Sequence, residues 1–549
     1  MPHFKLKDLP TLKNIPQKLE VDVEGVDDGK VLLVKTGNTV HALSPRCTHY
    51  GAPLKGGVIE GERLTCPWHG ACFNITTGDV EDAPALNALN KYEIIEKDDG
   101  VYIEAEESDI KSGHRDPALK CSVSSDSDER VLIVGGGSGT IGLIQSLLTK
   151  KYRGKITILT KEPANLIIDR PKLSKALIPD PDKIALRPKQ WYKDAGVEIL
   201  SEEVTSVDFD AKTVTTSSSK HTYTKLVLAT GGIPKTLPLP GFDSVKNIFT
   251  LRTVADVKSI LDALTTLKTD NKAPKKVVII GSSFIGMEIG NALAQDTANA
   301  VTIIGMESAP MERVMGAEVG RIFQRNLEKA GIRFILNASV EKASTPSAST
   351  STSVHLGDGS VIPADIVILG VGVRPATDFL KGNERISLEG DGSVRTDEHF
   401  AVPGLDGVFA IGDIARFPYH GPGGDGSLTR IEHWNVAQNA GRSVARSILH
   451  AGGGGGGLET NLKPSIPIFW SAVGGQMRYA GNTVNGYDDV FVKEEEGKFV
   501  AYYFRGEIVV AVATMGVDPV MVKVAALMRV GRMAGKKEVV SGIDVLGLE

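Results

Sequence analysis

Two wholly apolar tetrapeptides, VLIV at 131–134 and VVII at 277–280, each run straight into a glycine turn and then into an apolar-periodic stretch. The first unit reads VLIVGGGSGTIG and the second VVIIGSSFIGMEIG. A buried strand, a tight glycine turn and a helix form the opening of a dinucleotide-binding unit. The first glycine permits the bend, the second lets a pyrophosphate approach the backbone, and the phosphates face the partial positive charge of the helix N-terminus. Two such units predict two doubly wound domains on one plan. The candidate turn residues are Gly135 and Gly137 in the first unit, and Gly281, Ser283 and Gly286 in the second.

Both turns depart from G-x-G-x-x-G. Thr140 holds the third glycine position of the first, and Ser283 the middle position of the second, where a small side chain still lets a phosphate approach. After the strand KITILT comes Glu162, placed for a ribose hydroxyl. In the second unit the strand VTII runs into Gly305. Glu307 is the carboxylate two residues on, and Arg313 is a candidate for a 2′-phosphate, so the choice between NADH and NADPH stays open.

Ahead of these units, residues 20–106 read as short alternating runs such as VLLVKTG and YEIIE, broken by Gly, Asp and Pro, which predicts an all-β domain. Two stretches within it, CTHYGAPL (47–54) and CPWHGACF (66–73), each offer one Cys and one His: Cys47 with His49, then Cys66 with His69. Two thiolates and two imidazoles suit zinc or an iron–sulfur centre. Structural zinc sites usually take like ligands from each half, whereas each half here contributes an unlike pair. A [2Fe–2S] cluster with two Cys on one iron and two His on the other needs that interleaving if two loops clamp it. Cys72 reads as a packing residue and Cys121 as an incidental thiol.

Residues 107–129 are polar and Ser-rich, which predicts a linker, and "STPSASTST" at 344–352 reads as a disordered hairpin tip. Six glycines at 452–457 read as a flexible joint before a last mixed α/β segment. A net charge of −5 argues against nucleic acid or an anionic membrane as the main partner. No apolar run approaches the roughly 18–20 residues of a membrane span. The first residues lack the apolar core of a secretory signal, and four cysteines in 549 residues are too sparse for a disulfide scaffold. These features predict a reducing compartment, the cytoplasm, with the mitochondrion as alternative. No C-x₂₋₄-C pair adjoins the nucleotide units, so a dithiol–disulfide relay is excluded.

The loops at 47–54 and 66–73, with Gly51-Ala52-Pro53-Leu54 and Trp68-His69-Gly70 around the ligands, resemble the Rieske family. Further on, DRPKLSK (169–175), LATGG (228–232), AIGD (410–413) and IEHW (431–434) resemble, in that order, the FAD-binding segments of the two-dinucleotide flavoprotein reductases. With GMEIG and FWSAVGGQMRYAG (469–481), the whole chain resembles the Rieske-bearing branch of the apoptosis-inducing-factor-like oxidoreductases.

That resemblance implies a multidomain chain. An all-β Rieske [2Fe–2S] domain covers 4–106 and a linker 107–129. An α/β FAD-binding domain lies in two parts, 130–252 and 377–455, with an NAD(P)-binding domain inserted at 253–376. A C-terminal α+β domain covers 456–549. The implied cofactors are FAD, a [2Fe–2S] cluster held by Cys47, His49, Cys66 and His69, and NAD(P)H. The implied FAD contacts are Gly135, Gly137, Glu162, Val204, Thr230, Gly231 and Trp434, with Arg170 near the pyrophosphate, Asp413 on the ribityl chain and Lys175 near the isoalloxazine. Gly281, Ser283, Gly286, Glu307 and Gly372 are the implied NAD(P) contacts. Glu288 falls where the family places a carboxylate close to nicotinamide and flavin; it is expected to pair with Lys175 and orient the rings, its alternative being a simple first-turn helix acid.

The mechanism implied is one of electron counting: NAD(P)H gives two electrons at once, a Rieske cluster takes one, and FAD converts between them. The acceptor, protein or small molecule, leaves no local signature. Competing roles are an NADH-responsive redox sensor of apoptosis-type signalling and a reductase that feeds an oxygenase. High-potential Rieske relatives carry a Ser two residues after the second His, a Tyr two further on, and an extra Cys pair. Here those positions hold Ala71, Phe73, and Ala52 with Trp68, which implies a low potential.

Overall fold

The computed structural model describes residues 1–117, 128–162, 166–266, 274–345, 352–451 and 465–548. Cys121, the glycine run 452–457 and residues 346–351 of the Ser/Thr-rich tip lie outside the described residues. The strands flanking that tip, Val340–Ser344 and Thr352–Leu356, do pair antiparallel.

The tetrapeptide VLIV is buried along its whole length because its strand lies in the middle of a sheet covered on both faces. That sheet is parallel, in the order Val197–Ser201, Lys155–Thr160, Arg130–Val134, Lys225–Leu228, Val408–Ala410. The second repeats the plan: Arg333–Ile335, Asn299–Ile304, Lys275–Ile280, Ile366–Leu369, Ile248–Thr250. Each unit also carries a three-stranded antiparallel sheet. The edge strands differ in origin. The first sheet takes its edge from chain that follows the inserted domain. The second takes Ile248–Thr250, which precedes the boundary expected at 253 yet pairs in parallel with Ile366–Leu369.

The N-terminal domain combines a six-stranded antiparallel sheet, ending on Gly100–Glu104 and His3–Lys5, with a four-stranded sheet, Val58–Glu60 through Val80–Asp82. The linker expectation needs correction over its first part. Residues Glu107–Ser112 form a helix whose Ile110 packs into this domain's core, and Arg115 pairs its backbone with Ala88. One apolar residue in EESDIKSG is too little periodicity to announce a helix. Residues 118–127 lie outside the described residues.

The C-terminal domain is a five-stranded antiparallel sheet, beginning with Ile468–Ala472 and Gln476–Gly481, against the helix Val520–Val530. No helix among the described residues is long and apolar enough to cross a membrane.

Candidate active site

The two Cys–His loops close in the same way. Cys47 N–H donates to the Ala52 carbonyl (2.8 Å) and Gly51 N–H to the Cys47 carbonyl (2.8 Å); Cys66 N–H donates to Ala71 (2.8 Å) and Gly70 N–H to Cys66 (3.3 Å). Both turns need left-handed backbone, supplied by Gly51 and Gly70 at φ +75°. The loops therefore face each other. Cys47 and Cys66, 3% and 1% exposed, share a thiol–thiol hydrogen bond, and His49 Nδ1 lies 3.1 Å from His69 Nδ1. The shared bond raises Cys47 and lowers Cys66. Backbone amides of His49 and Tyr50 aim at Cys47, and those of Trp68 and His69 at Cys66. Burial pushes the His49 pKa down to about 3, Lys172 adding to it. Burial, then His49, Arg478 and Lys175, push His69 to about 2. Both rings are thus held neutral, the form that ligates metal.

These residues fit a [2Fe–2S] cluster. They present a thiol pair and an imidazole pair, and among the described residues no three His, Cys, Asp or Glu close on a single-ion position. A cluster takes two ligands at each of two irons, where zinc takes four at one point. Cys72 lies outside the set, buried and accepting from Thr65 Oγ1 (3.6 Å).

The Rieske-type domain is docked with its histidines inward. The ring of Trp470 lies 4.4 Å from that of His69 and 5.4 Å from that of His49. Tyr50 stacks on His49 at 3.8 Å and 15° and donates its hydroxyl to the buried Asp169 carboxylate, which Lys172 also approaches (3.4 Å). The loop backbone is tied to the reductase: Asn435 Nδ2 donates to the His69 carbonyl (2.9 Å) and Arg478 Nε to the Trp68 carbonyl (2.9 Å). Gln145 and Arg187 donate to the Leu86 carbonyl, and Arg442 to that of Val80. A Cβ at Gly70 would come 2.7 Å from Ile468 Cδ1.

At the first nucleotide turn, Gly135 has φ +110°, and a Cβ there would run into the Ala229 carbonyl. Gly137 begins the helix Ser138–Thr149 with no side-chain cap and open space on its Cβ side. Thr140, the departure from the motif, is fully buried and returns its hydroxyl to the Gly135 carbonyl (2.7 Å). Glu162 holds Arg170 at 3.0 Å; Arg170 also donates to the Arg252 carbonyl (2.7 Å), and Arg252 meets Asp413 at 3.0 Å. Burial, then Arg252, pull the Arg170 pKa down. An uncapped helix start with open space at Gly137, together with a neighbouring pair of arginines, Arg170 and Arg252, is a donor set that fits a pyrophosphate, and the residues present fit FAD. Gly231 and Thr230 exchange hydrogen bonds with Ala376, Val204 starts the strand Val204–Asp208 against the apolar cluster of this domain, and the Trp434 carbonyl receives Ser138 Oγ (2.7 Å).

Lys175 Nζ lies 2.7 Å from Glu288 Oε1. Glu288 is 3% exposed and accepts further hydrogen bonds from Ser174 Oγ (2.5 Å) and Ser471 Oγ (2.6 Å). Trp470 and Ser471 are neighbours on one strand, so their side chains leave by opposite faces, one toward the Rieske histidines and one toward Glu288.

The second turn repeats the first, with Gly281 at φ +110°. Ser283 starts the helix Phe284–Leu293 in extended backbone, and a Cβ at Gly286 would strike the Gly281 carbonyl. Gly372, at φ +94°, has open space before it. Glu307 and Arg313, candidates for opposite nucleotide preferences, are paired with each other at 2.7 Å.

Tyr50, Asp169, Ser174, Arg252, Trp470 and Ser471 were not legible as site residues. Several sit in quoted motifs, but their partners lie far away in the chain and no spacing announces them.

By fold and site, then, this is an FAD-dependent NAD(P)H oxidoreductase with an N-terminal Rieske domain. Residues 5–93 match the Rieske [2Fe-2S] domain and residues 129–441 the pyridine nucleotide-disulphide oxidoreductase family. The chain belongs to that family, in its Rieske-bearing, apoptosis-inducing-factor-like branch. Apoptosis-inducing factor 3 of Homo sapiens is 36% identical over 93% of this chain and 82% of its own length. The ferredoxin–NAD(+) reductase subunit of the benzene 1,2-dioxygenase system of Pseudomonas putida is 29% identical over 68% of this chain and 86% of its own. The crystal structure of a ferredoxin reductase from Rhodopseudomonas palustris covers 75% of this chain and 97% of its own with a TM-score of 0.66 at 24% identity, a likeness of fold.

Proposed function

We propose that this chain takes electrons from NAD(P)H at the second nucleotide turn and delivers them singly, from the Rieske side, to a separate acceptor. When bound, FAD supplies the conversion between a two-electron donor and a one-electron cluster. The observation that carries this reading is the strand Ile468–Ala472, which sets Trp470 4.4 Å from the His69 ring and Ser471 2.6 Å from Glu288. The ligand loops and the Lys175–Glu288 pair are thereby separated by a single strand.

In this reading Cys47, Cys66, His49 and His69 ligate the cluster. Gly135 and Gly137 open the backbone to the FAD pyrophosphate, Arg170 offsets its charge, Glu162 accepts from a ribose, and Asp413 faces the ribityl chain. Val204, Thr230, Gly231 and Trp434 border the flavin, and Gly281, Ser283, Gly286 and Gly372 the nicotinamide nucleotide. Glu288, buried and fully partnered, holds the Lys175 side chain in one orientation beside the reacting rings. The acceptor is a one-electron protein or small molecule in a reducing compartment, the cytoplasm first and the mitochondrion second. The dioxygenase reductase relative suggests delivery to an oxygenase, and the name of the human relative a signalling role.

Anaerobic addition of NADH or NADPH, followed by visible absorption and EPR, tests the reading. Flavin bleaching followed by a Rieske EPR signal is expected. A long-lived long-wavelength band with an EPR-silent cluster would overturn it in favour of a sensor.

A further inference from the structure

The loop Gly305–Met311 wraps the turn that opens the helix Phe284–Leu293. Its first residue meets Ser282: a Cβ at Gly305 would run into the Ser282 hydroxyl and lie 2.9 Å from its Cβ. Its last residue, Met311, donates its N–H to the Ser282 carbonyl (2.9 Å). Glu307 sits between these two anchors, with its side chain 20% exposed, just past the carboxyl end of the strand Asn299–Ile304.

A dinucleotide whose pyrophosphate lies on such a turn directs its adenosine ribose at the carboxyl end of the next strand. Position 305 is a glycine packed against Ser282, so the carboxylate that follows that strand most closely is Glu307. A carboxylate there accepts from the 2′- and 3′-hydroxyls of a ribose and repels a 2′-phosphate. Arg313, which a 2′-phosphate would need, is 74% exposed and has its Nε on Glu307 Oε1 at 2.7 Å.

We propose that Glu307 makes this chain select NADH over NADPH, with Arg313 as the counter-charge that positions the carboxylate and is thereby withheld from a 2′-phosphate. The proposal rests on the NAD(P)H reading of the second turn. A bound NADPH has to break the ion pair and place its phosphate beside a freed carboxylate; a bound NADH leaves the pair intact.

The test uses the FAD-loaded full chain and two readouts: anaerobic flavin bleaching by NADH and by NADPH, and the Kd values of NAD(+) and NADP(+) from titration. The wild type should favour NADH at least about tenfold in kcat/KM, the low end for a hydrogen bond to a charged group. Glu307→Gln should lower that ratio by at least about tenfold and tighten NADP(+) binding. Adding Arg313→Leu to it should abolish the gain in NADP(+) affinity. A wild type that prefers NADPH, or uses both equally, overturns the inference alone, as does an unchanged ratio in Glu307→Gln. If neither nucleotide bleaches the flavin, the reading of the second turn falls and the inference with it.

Discussion

His69 and Trp470, more than four hundred residues apart in the chain, bring their ring centroids to 4.4 Å across the boundary between the Rieske and C-terminal domains. The contact covers the edge of the loops where the imidazoles of His49 and His69 lie. It is reinforced by hydrogen bonds from Asn435 and Arg478 to the loop carbonyls that flank His69. The docked arrangement is therefore built from specific polar contacts as well as ring packing.

Trp470→Ala removes a ring that packs against both histidines. An aromatic pair adds about 0.5–1.5 kcal/mol beyond area burial, and truncating a buried Trp costs about 3–5 kcal/mol in total. Flavin bleaching by NADH should stay within about twofold of wild type, since Glu288 and Lys175 are untouched, while appearance of the Rieske EPR signal slows. Equal rates of both steps in variant and wild type would show that Trp470 is not part of the contact that matters.

Asp413→Ala should weaken FAD retention. The carboxylate is ion-paired with Arg252 at 3.0 Å, so its loss leaves Arg252 short of a counter-charge beside Arg170, and it also removes the proposed partner of the ribityl chain. A hydrogen bond to a charged group is worth about 1.5–3 kcal/mol, so FAD affinity should fall at least about tenfold. The check is FAD occupancy after dialysis, with Asp413→Asn as the milder variant; full occupancy in both would remove Asp413 from the site.

The cluster should have a potential toward the bottom of the Rieske range of about −150 to +300 mV. Ala71 and Phe73 are fully buried and carry no side-chain donor, and apart from the two thiols themselves the donors aimed at the sulfurs are backbone amides. Donors to sulfur stabilise the extra negative charge of the reduced state. Ala71→Ser and Phe73→Tyr should each raise the midpoint, by up to roughly 60–130 mV if the whole bond were redox-dependent. Redox titration followed by EPR decides it, and a wild-type midpoint clearly above zero contradicts the reading. Cys66→Ser should abolish the EPR signal and acid-labile sulfide; one tightly bound zinc without sulfide in anaerobic wild type would replace the cluster assignment.

Acid should destabilise the chain partly through His433. Burial holds its pKa at about 4, against the upward pull of Asp413, and its Nδ1 is buried without a partner among the described residues. The ring packs at 4.4 Å from Phe469. The unfolded chain binds this proton near the ordinary value of about 6.5, so the folded state is penalised as pH falls below that value and the penalty levels off near pH 4. Its ceiling is about 3 kcal/mol. Melting curves from pH 7.5 to 4.5 should therefore show a smaller loss in His433→Gln than in wild type, and parallel losses would assign the acid sensitivity elsewhere.

What the sequence determined by itself was whatever is encoded at short range. A strand, a glycine turn and a helix are contiguous, so VLIVGGGSG and VVIIGSSFIG were readable as nucleotide turns, and the interleaved Cys47–His49 and Cys66–His69 pairs as cluster loops. The helix Glu107–Ser112 escaped because its stability comes from one buried side chain set in another element's core. The edge strand Ile248–Thr250 escaped because pairing with Ile366–Leu369 assigns it to the second sheet, and nothing local says so. The tertiary structure alone decided that Trp470 faces His49 and His69 and that Ser471 faces Glu288. It also decided that Tyr50 reaches Asp169 and that Ser282 fills the space at Gly305. Such contacts join side chains across domains, and their energies depend on shape and distance after folding, which no local periodicity records.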